Sequence, residues 1–232
     1  MKALIDADTP IFAAALSSND KELWVATSRL ESMIYSIFKE SKADEYVLFV
    51  SGSSNFRKEL DISYKANRTQ DEPIHRKACR EFLIQQMDAI AAEHCEADDF
   101  CGIYQSEDTI ICGIDKDLLQ IPGKHFRWQI TRGAKVVREA EFVEVSEIDG
   151  LRSFYRQMLT GDTSDNIKGV DKIGDVKSAK LINHLTNEKE MKDLVKDLYN
   201  DDDRFYNNAN LLWIMRGFGE TYTVREEIKN EI

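Results

Sequence analysis

Three short apolar runs stand out in the first half of the chain, and each ends on a polar residue. Residues 2–5, Lys-Ala-Leu-Ile, lead into Asp6; Tyr46 to Val50 lead into Ser51; Thr109 to Ile114 lead into Asp115. Runs of this length without polar alternation predict strands covered on both faces, as in a parallel sheet. Leu30, Ile34 and Ile37 recur at helical spacing between the first two runs, and Phe100-Cys101-Gly102-Ile103-Tyr104 forms a helical segment before the third. Strands alternating with helices predict an α/β fold with a central, mainly parallel sheet flanked by helices. In such sheets ligands gather beyond the carboxyl ends of the strands, which is where Asp6, Ser51 and Asp115 would lie. From Glu188 onward Leu194, Leu198, Leu211, Leu212 and Ile214 mark helical core positions. The expected division is an α/β core over residues 1–150 and a helical region over 151–232. The polar stretch from Ala66 to Pro73 is expected to be mobile.

With 232 residues and 42% apolar content the chain is expected to be a soluble globular protein, and no apolar run is long enough to cross a bilayer. The N-terminus carries Asp6 and Asp8 where a secretory leader needs an unbroken apolar stretch, so the expected location is the cytoplasm. Cys79, Cys95, Cys101 and Cys112 have neither CxxC spacing nor clustered histidines, which argues against a disulfide framework or a zinc site.

A net charge of −11 argues at first against a nucleic-acid partner. The placement of the acids changes that picture. Asp6 and Asp8 form a DxD where a strand ends, and Glu96, Asp98 and Asp99 open a helix. Asp115 and Asp117 flank the turn after the third strand, while Asp162 and Asp165 have the i, i+3 spacing that shares a face if the segment is helical. Any one of these groups is explained by helix capping and solvation. Together they supply the hard oxygen donors that Mg²⁺ or Mn²⁺ require, in a number that suits two ions. Two such ions can activate water and steady the leaving oxygen in phosphodiester hydrolysis, and bound cations reverse the sign of the patch.

In their order along the chain these groups resemble the 5′-3′ exonucleases and flap endonucleases, a family with a PIN-like fold that includes the small nuclease domain of bacterial DNA polymerase I; the phage members are most similar. The resemblance runs through Asp6, Asn55-Phe56-Arg57-Lys58-Glu59-Leu60, Tyr64-Lys65-Ala66-Asn67-Arg68, Glu96-Ala97-Asp98-Asp99, Asp115-Lys116-Asp117 and Gly161-Asp162-Thr163-Ser164-Asp165-Asn166. It implies that Glu96, Asp98 and Asp99, with Asp6, hold a first ion. Asp115, Asp117, Asp162 and Asp165 would hold a second, with Asp115 bridging, and Asp8 is an extra acid shared with some phage members. The family places an aspartate just after the second strand, where this chain reads Ser51-Gly52. Two outcomes stay open: Asp8 or water takes the place of that acid, or the first ion is held by fewer carboxylates, with low affinity for Mg²⁺.

The basic residues fall into two groups. Arg57, Lys58, Lys65 and Arg68 surround Tyr64, and His75-Arg76-Lys77 with Arg80 follow on the next helix. The resemblance implies a helical arch near residues 56–90, with Lys65 and Arg68 contacting the phosphate that is cut; Tyr64 would stack on an unpaired base. Residues 166–186 resemble a helix-hairpin-helix, in which Gly169 and Gly174 permit close backbone approach and Lys172, Lys177 and Lys180 flank a phosphate. Such a hairpin holds duplex DNA by its backbone, and in the family its carbonyls also bind a monovalent cation such as K⁺.

The function these features imply is 5′-3′ exonuclease or 5′-flap endonuclease action on DNA, in phage replication or recombination. The expected protein is a monomer in the bacterial host cytoplasm, with no membrane contact. Its expected substrates are 5′ ends, flaps or forks and RNA–DNA hybrids. A noncatalytic DNA-junction binding protein, motivated by Ser51-Gly52, is one alternative. A PIN-type ribonuclease is another, and the hairpin argues against it.

Overall fold

The structure is a computed structural model that describes residues 1–68 and 71–231, and the side chains of residues 1–68 and 71–229. Thr69 and Gln70, within the stretch expected to be mobile and within the expected arch, lie outside the described residues. The chain opens with β1 (Lys2–Asp6), α1 (Asp8–Leu16), α2 (Leu23–Ser41), β2 (Glu45–Ser51) and a short α3 (Phe56–Leu60). It continues through α4 (Arg76–Gln86), β3 (Ile90–Ala92), α5 (Ala97–Tyr104), β4 (Thr109–Cys112), β5 (Gly123–Arg127), β6 (Ile130–Arg132), β7 (Lys135–Arg138) and β8 (Glu141–Val145). The last part holds α6 (Glu147–Thr160), β9 (Gly161–Asp162), β10 (Ile167–Lys168), α7 (Asp175–Ile182), α8 (Glu188–Tyr199), α9 (Asp202–Leu212) and α10 (Tyr222–Glu231).

These elements form two compact units. Unit 1 comprises residues 1–54, 70–118 and 123–144; unit 2 comprises 55–69, 119–122 and 145–232. Unit 1 is built on a six-stranded sheet with order β3-β2-β1-β4-β5-β8, in which β1 pairs parallel with β2 and β4, β2 with β3, and β4 with β5. The central strands β1 and β4 are buried almost end to end, as their unalternating sequence requires. Their core meets Leu30, Ile34 and Ile37 of α2 together with Cys79 and Leu83 of α4, all buried. Strand order reverses between β1 and β4, which makes the carboxyl ends of these two strands the natural place for a ligand.

Unit 2 has its own core, in which Phe154, Tyr155, Met158 and Leu159 of α6 pack with Met191 and Val195 of α8, Phe205 of α9, Trp213 and Tyr222. The helix pattern from Glu188 onward is observed as α8 to α10, with Leu211, Leu212 and Ile214 buried. Among the described residues no helix is long and apolar enough to cross a membrane. Cys79, Cys95, Cys101 and Cys112 are all buried.

Candidate functional site

The acids of unit 1 gather at the carboxyl edge of the sheet. Asp6 is the last residue of β1 and 7% exposed, and its Oδ1 accepts the Asp8 amide at 3.1 Å. Burial first, and then the charge of Asp8, push the Asp6 carboxyl up to about 8; Asp115 and Glu96 add to the rise. Four carboxylates thus share one electrostatic neighbourhood. Asp8, in the first turn of α1, reaches the end of β2, where it accepts the Ser51 amide at 3.1 Å and the Ser51 hydroxyl. Glu96 caps α5 and forms a reciprocal capping box with Asp99, whose Oδ2 accepts the Glu96 amide at 3.0 Å. Asp98 Oδ1 accepts the Asp99 amide at 2.8 Å, and Asp115, exposed beyond β4, accepts the Asp117 amide at 3.0 Å.

Most of these acids therefore place an oxygen on a nearby backbone amide. Among the described residues, no three His, Cys, Asp or Glu side chains already surround a common point, so chelation here requires side-chain rotation. Their chemistry nevertheless fits a hard divalent ion, because the carboxylates of Asp8, Asp115 and Glu96 share the neighbourhood of Asp6 and a cation relieves their mutual repulsion. Asp99 is fully buried, and the structure places it at the closing bond of the α5 N-terminus.

In unit 2, Asp162 and Asp165 do not share a helix face. Asp162 ends the two-residue strand β9, and its Oδ1 accepts the amides of Ser164 at 2.8 Å and Asp165 at 3.2 Å, folding residues 162–165 into a turn rather than a helix. Asp162 Oδ2 also accepts from Gln157 Nε2 at 3.2 Å. Asp165 is a collecting point for the predicted basic cluster. It accepts the Tyr64 hydroxyl at 3.0 Å and Arg68 Nη2 at 2.7 Å, and Lys65 Nζ stands 3.7 Å away. The Lys65 amide donates to the Asp165 carbonyl at 2.9 Å, and Asn67 Nδ2 to the Thr163 carbonyl at 2.6 Å. Residues 64–68 and 163–165 are thereby tied into one substructure.

Two expectations are corrected here. Arg57 does not face DNA: it is 2% exposed, donating from Nε to the Leu211 carbonyl at 2.9 Å and from Nη2 to the Trp213 carbonyl at 2.8 Å, because α3 packs inside unit 2. Tyr64 does not offer its ring for base stacking; the ring is 3% exposed within the core of unit 2, and its hydroxyl orients Asp165. Lys58 is exposed on the same short helix as Arg57.

The hairpin region is built tightly. Strand β9 pairs antiparallel with β10, and a Cβ on Gly169 would meet the Gly161 amide nitrogen at 2.3 Å and the Leu159 carbonyl oxygen at 2.4 Å. Lys172 adopts a left-handed conformation, φ 62°, in the turn before α7. Gly174 caps α7 in extended conformation with nothing within 4 Å of its Cβ position, and Lys172, Lys177 and Lys180 are exposed around it. Arg204 and Asn208 of α9, absent from the sequence reading, hold this region by donating to the Lys168 carbonyl, each at 3.0 Å. The support that Arg80 gives Ser51 in unit 1 was likewise missed; Arg80 Nε donates to the Ser51 carbonyl at 3.1 Å. No periodic signal marks such polar supports.

Fold and site together define an α/β protein with carboxylates converging at the switch point of a parallel sheet. Within that class the chain belongs to the 5′-3′ exonuclease family, whose N-terminal resolvase-like domain matches residues 3–147. The DNA polymerase I of Bacillus caldotenax is 30% identical over 196 residues, covering 74% of this chain and 21% of that protein. The corresponding enzyme of Rhizobium leguminosarum is 30% identical over 149 residues, 59% of this chain and 14% of that protein. The chain thus spans about a fifth or less of the length of these relatives. Among solved structures, the bacteriophage T5 flap endonuclease bound to DNA and metal ions superposes with a TM-score of 0.65 at 18% identity, over 89% of this chain and 86% of that one. The flap endonuclease-1 of Methanococcus jannaschii does so with a TM-score of 0.53 at 13% identity, over 88% and 76%. At these identities the likeness is one of fold, and it bears out the predicted mainly parallel α/β architecture.

Proposed function

We propose that the chain is a divalent-metal-dependent nuclease that hydrolyses the DNA backbone at 5′ ends and 5′ flaps. The observation that carries this reading is the meeting of Asp6, Asp8, Glu96 and Asp115 at the switch point of the sheet, in a chain of the 5′-3′ exonuclease family. Mg²⁺ or Mn²⁺ held by these acids would activate the attacking water and stabilise the leaving oxygen. The chain's own part is to bring carboxylates to one edge through β1, α1, α5 and the turn after β4, and to bury Asp6 so that solvent does not screen it. Lys65 and Arg68, both held beside Asp165, keep one net positive charge among the three groups and are suited to grip a phosphate, with Asp165 fixing their position. Lys172, Lys177, Lys180 and the open backbone at Gly174 would hold duplex DNA without reading bases, and K⁺ at the hairpin carbonyls belongs to the same proposal. Asp117, Asp162 and Asp165 are second-ion candidates through the family pattern. Action as a monomer in a bacterial host cytoplasm, on DNA and on RNA–DNA hybrids, completes the reading.

A labelled 5′-flap duplex, a forked duplex and a single-stranded RNA, each incubated with Mg²⁺, Mn²⁺ or EDTA, test it. Metal-dependent release of the 5′ strand from DNA is expected. Binding without cleavage under every metal condition would instead establish a junction-binding protein, and cleavage confined to RNA a PIN-type ribonuclease. Asp115→Asn should abolish cleavage by well over the roughly 100-fold that loss of a supporting partner costs, while fluorescence anisotropy shows forked-duplex binding at wild-type strength. The exposed Asp115 side chain has little part in folding, and an asparagine oxygen can still accept the Asp117 amide.

A further inference from the structure

Strand β1 ends on Asp6 and β4 is followed by Asp115, but β2 ends on Ser51, followed by Gly52. Gly52 has no room for a side chain, since a Cβ there would lie 2.3 Å from the Ala92 carbonyl oxygen and 3.1 Å from the Glu93 Cα, both backbone atoms. Ser51 is bonded through its amide, its hydroxyl and its carbonyl alike. Its amide donates to Asp8 Oδ1 at 3.1 Å, and its hydroxyl donates to Asp8 Oδ2. That hydroxyl oxygen in turn accepts the Ala97 amide at 3.1 Å, a first-turn amide of α5 without an intrahelical acceptor. The Ser51 carbonyl accepts Arg80 Nε at 3.1 Å, which fixes the strand end itself. One residue therefore links the segment bearing Asp6 and Asp8 to the helix that carries Glu96, Asp98 and Asp99 around its first turn.

Directionality in this chain of bonds matters. A serine hydroxyl has one proton, and with the Ala97 amide already donating to its oxygen that proton is free to point at Asp8. A carboxylate gripped by an amide and a hydroxyl loses rotational freedom, so less ordering remains to be done when a cation arrives. We propose that Ser51 is a positioning residue for divalent-metal binding, holding the Asp8 carboxylate at the end of β2 so that Asp8, from the neighbouring helix, serves as the acid that β2 lacks. This rests on the metal-dependent reading above. It also argues against a weakened first site, because the carboxylate is relocated rather than missing. Mg²⁺ binding should accordingly be of ordinary strength, without a requirement for Mn²⁺.

The test measures metal binding by the DNA-free protein, using Mn²⁺ titration followed by electron paramagnetic resonance and competition with Mg²⁺, alongside thermal unfolding in EDTA. Threonine and valine have nearly the same shape and differ in the hydroxyl, so Ser51→Thr and Ser51→Val form the decisive pair. Ser51→Thr should bind Mn²⁺ within about threefold of wild type, whereas Ser51→Val should lose about tenfold or more, the range seen when a supporting partner of a metal ligand is removed. A folded Ser51→Val protein with wild-type Mn²⁺ affinity would overturn the proposal and leave Ser51 as a cap for α5. Should Ser51→Val fail to fold, Asp8→Asn decides: it keeps an acceptor for Ser51, and unchanged Mn²⁺ affinity would show that Asp8 holds no metal. Absence of Mn²⁺ binding by wild type would sink the metal-dependent reading itself, a result distinct from equal binding by wild type and Ser51→Val.

Discussion

At Gly169 and Gly174 the same residue type serves opposite purposes. A methyl group at 169 would strike backbone atoms at 2.3 and 2.4 Å, and none of these is a flexible side-chain end that can swing away. At 174 it would meet nothing within 4 Å, and the backbone there is extended, a conformation any residue adopts. Gly169→Ala should therefore destabilise unit 2 by about 3 kcal/mol or more through overpacking at the β9–β10 pair. Gly174→Val should stay within about 1 kcal/mol of wild type. If Gly174 is kept small for an approaching DNA backbone, Gly174→Val should still weaken duplex binding, and by the same factor on unrelated sequences. Urea denaturation and anisotropy on two unrelated duplexes separate the two effects; loss of stability without loss of binding at 174 would remove it from the interface. Spacing alone does not distinguish the two glycines, because the difference lies in what each faces across the fold.

Between elements, the α8–α10 contact is held by a half-buried charge pair with a defined pH signature. Glu188, at the start of α8, accepts Arg225 Nη2 at 2.9 Å and also Lys229, both from α10. Burial by itself would raise the Glu188 carboxyl, but the hydrogen bonds from Arg225 and Lys229 outweigh it and hold the group at about 2, against an ordinary 4.5. A depressed folded value stabilises the protein above the unfolded value, and that contribution fades as pH falls toward the folded one. Glu188→Gln should thus cost on the order of 2 kcal/mol near pH 7, after allowance for solvent screening, and the gap to wild type should shrink below about pH 5 and nearly close by about pH 2. Urea melts across that range check it; a gap independent of pH would assign the cost to packing. This pair was not legible in the sequence, since Glu188 and Arg225 are distant along it and each reads as a solvated charge. The elements that were legible, β1, β2, β4 and α2, are those whose packed positions run together or recur at regular spacing, so burial appears directly as apolar runs or helical periodicity. Strands β3, β6 and β7 are three or four residues long and partly exposed, and they leave no such pattern. The acids of the site were legible as short groups, but the turn over 162–165 and the burial of Arg57 and Tyr64 depend on tertiary partners that local spacing does not encode.

Across the whole molecule, a net charge of −11 opposes a DNA partner unless cations offset the acids at the sheet edge. Like charges held together in the native state cost stability that the unfolded chain does not bear, so an ion that binds only the folded form should return it. At a free concentration about 100 times the dissociation constant that return is about 2.7 kcal/mol. The gain should be local before it is global, because protection from amide exchange follows the stability of each cooperative region. Mg²⁺ should therefore slow exchange in unit 1 at the end of β1, the first turn of α1, the end of β2 and the N-terminus of α5, the segments that present Asp6, Asp8 and Glu96. NaCl of equal ionic strength should not reproduce this, since it screens charge without being coordinated. Hydrogen exchange read by mass spectrometry on the DNA-free protein, in EDTA, in Mg²⁺ and in matched NaCl, makes the comparison. The same data report on unit 2: slower exchange over residues 161–168 with Mg²⁺ would show Asp162 and Asp165 taking part in ion binding, whereas unchanged exchange there would leave Asp165 as the anchor of Lys65 and Arg68. Slowing that is uniform over both units, or matched by NaCl, would mean that the acids at the sheet edge hold no specific ion.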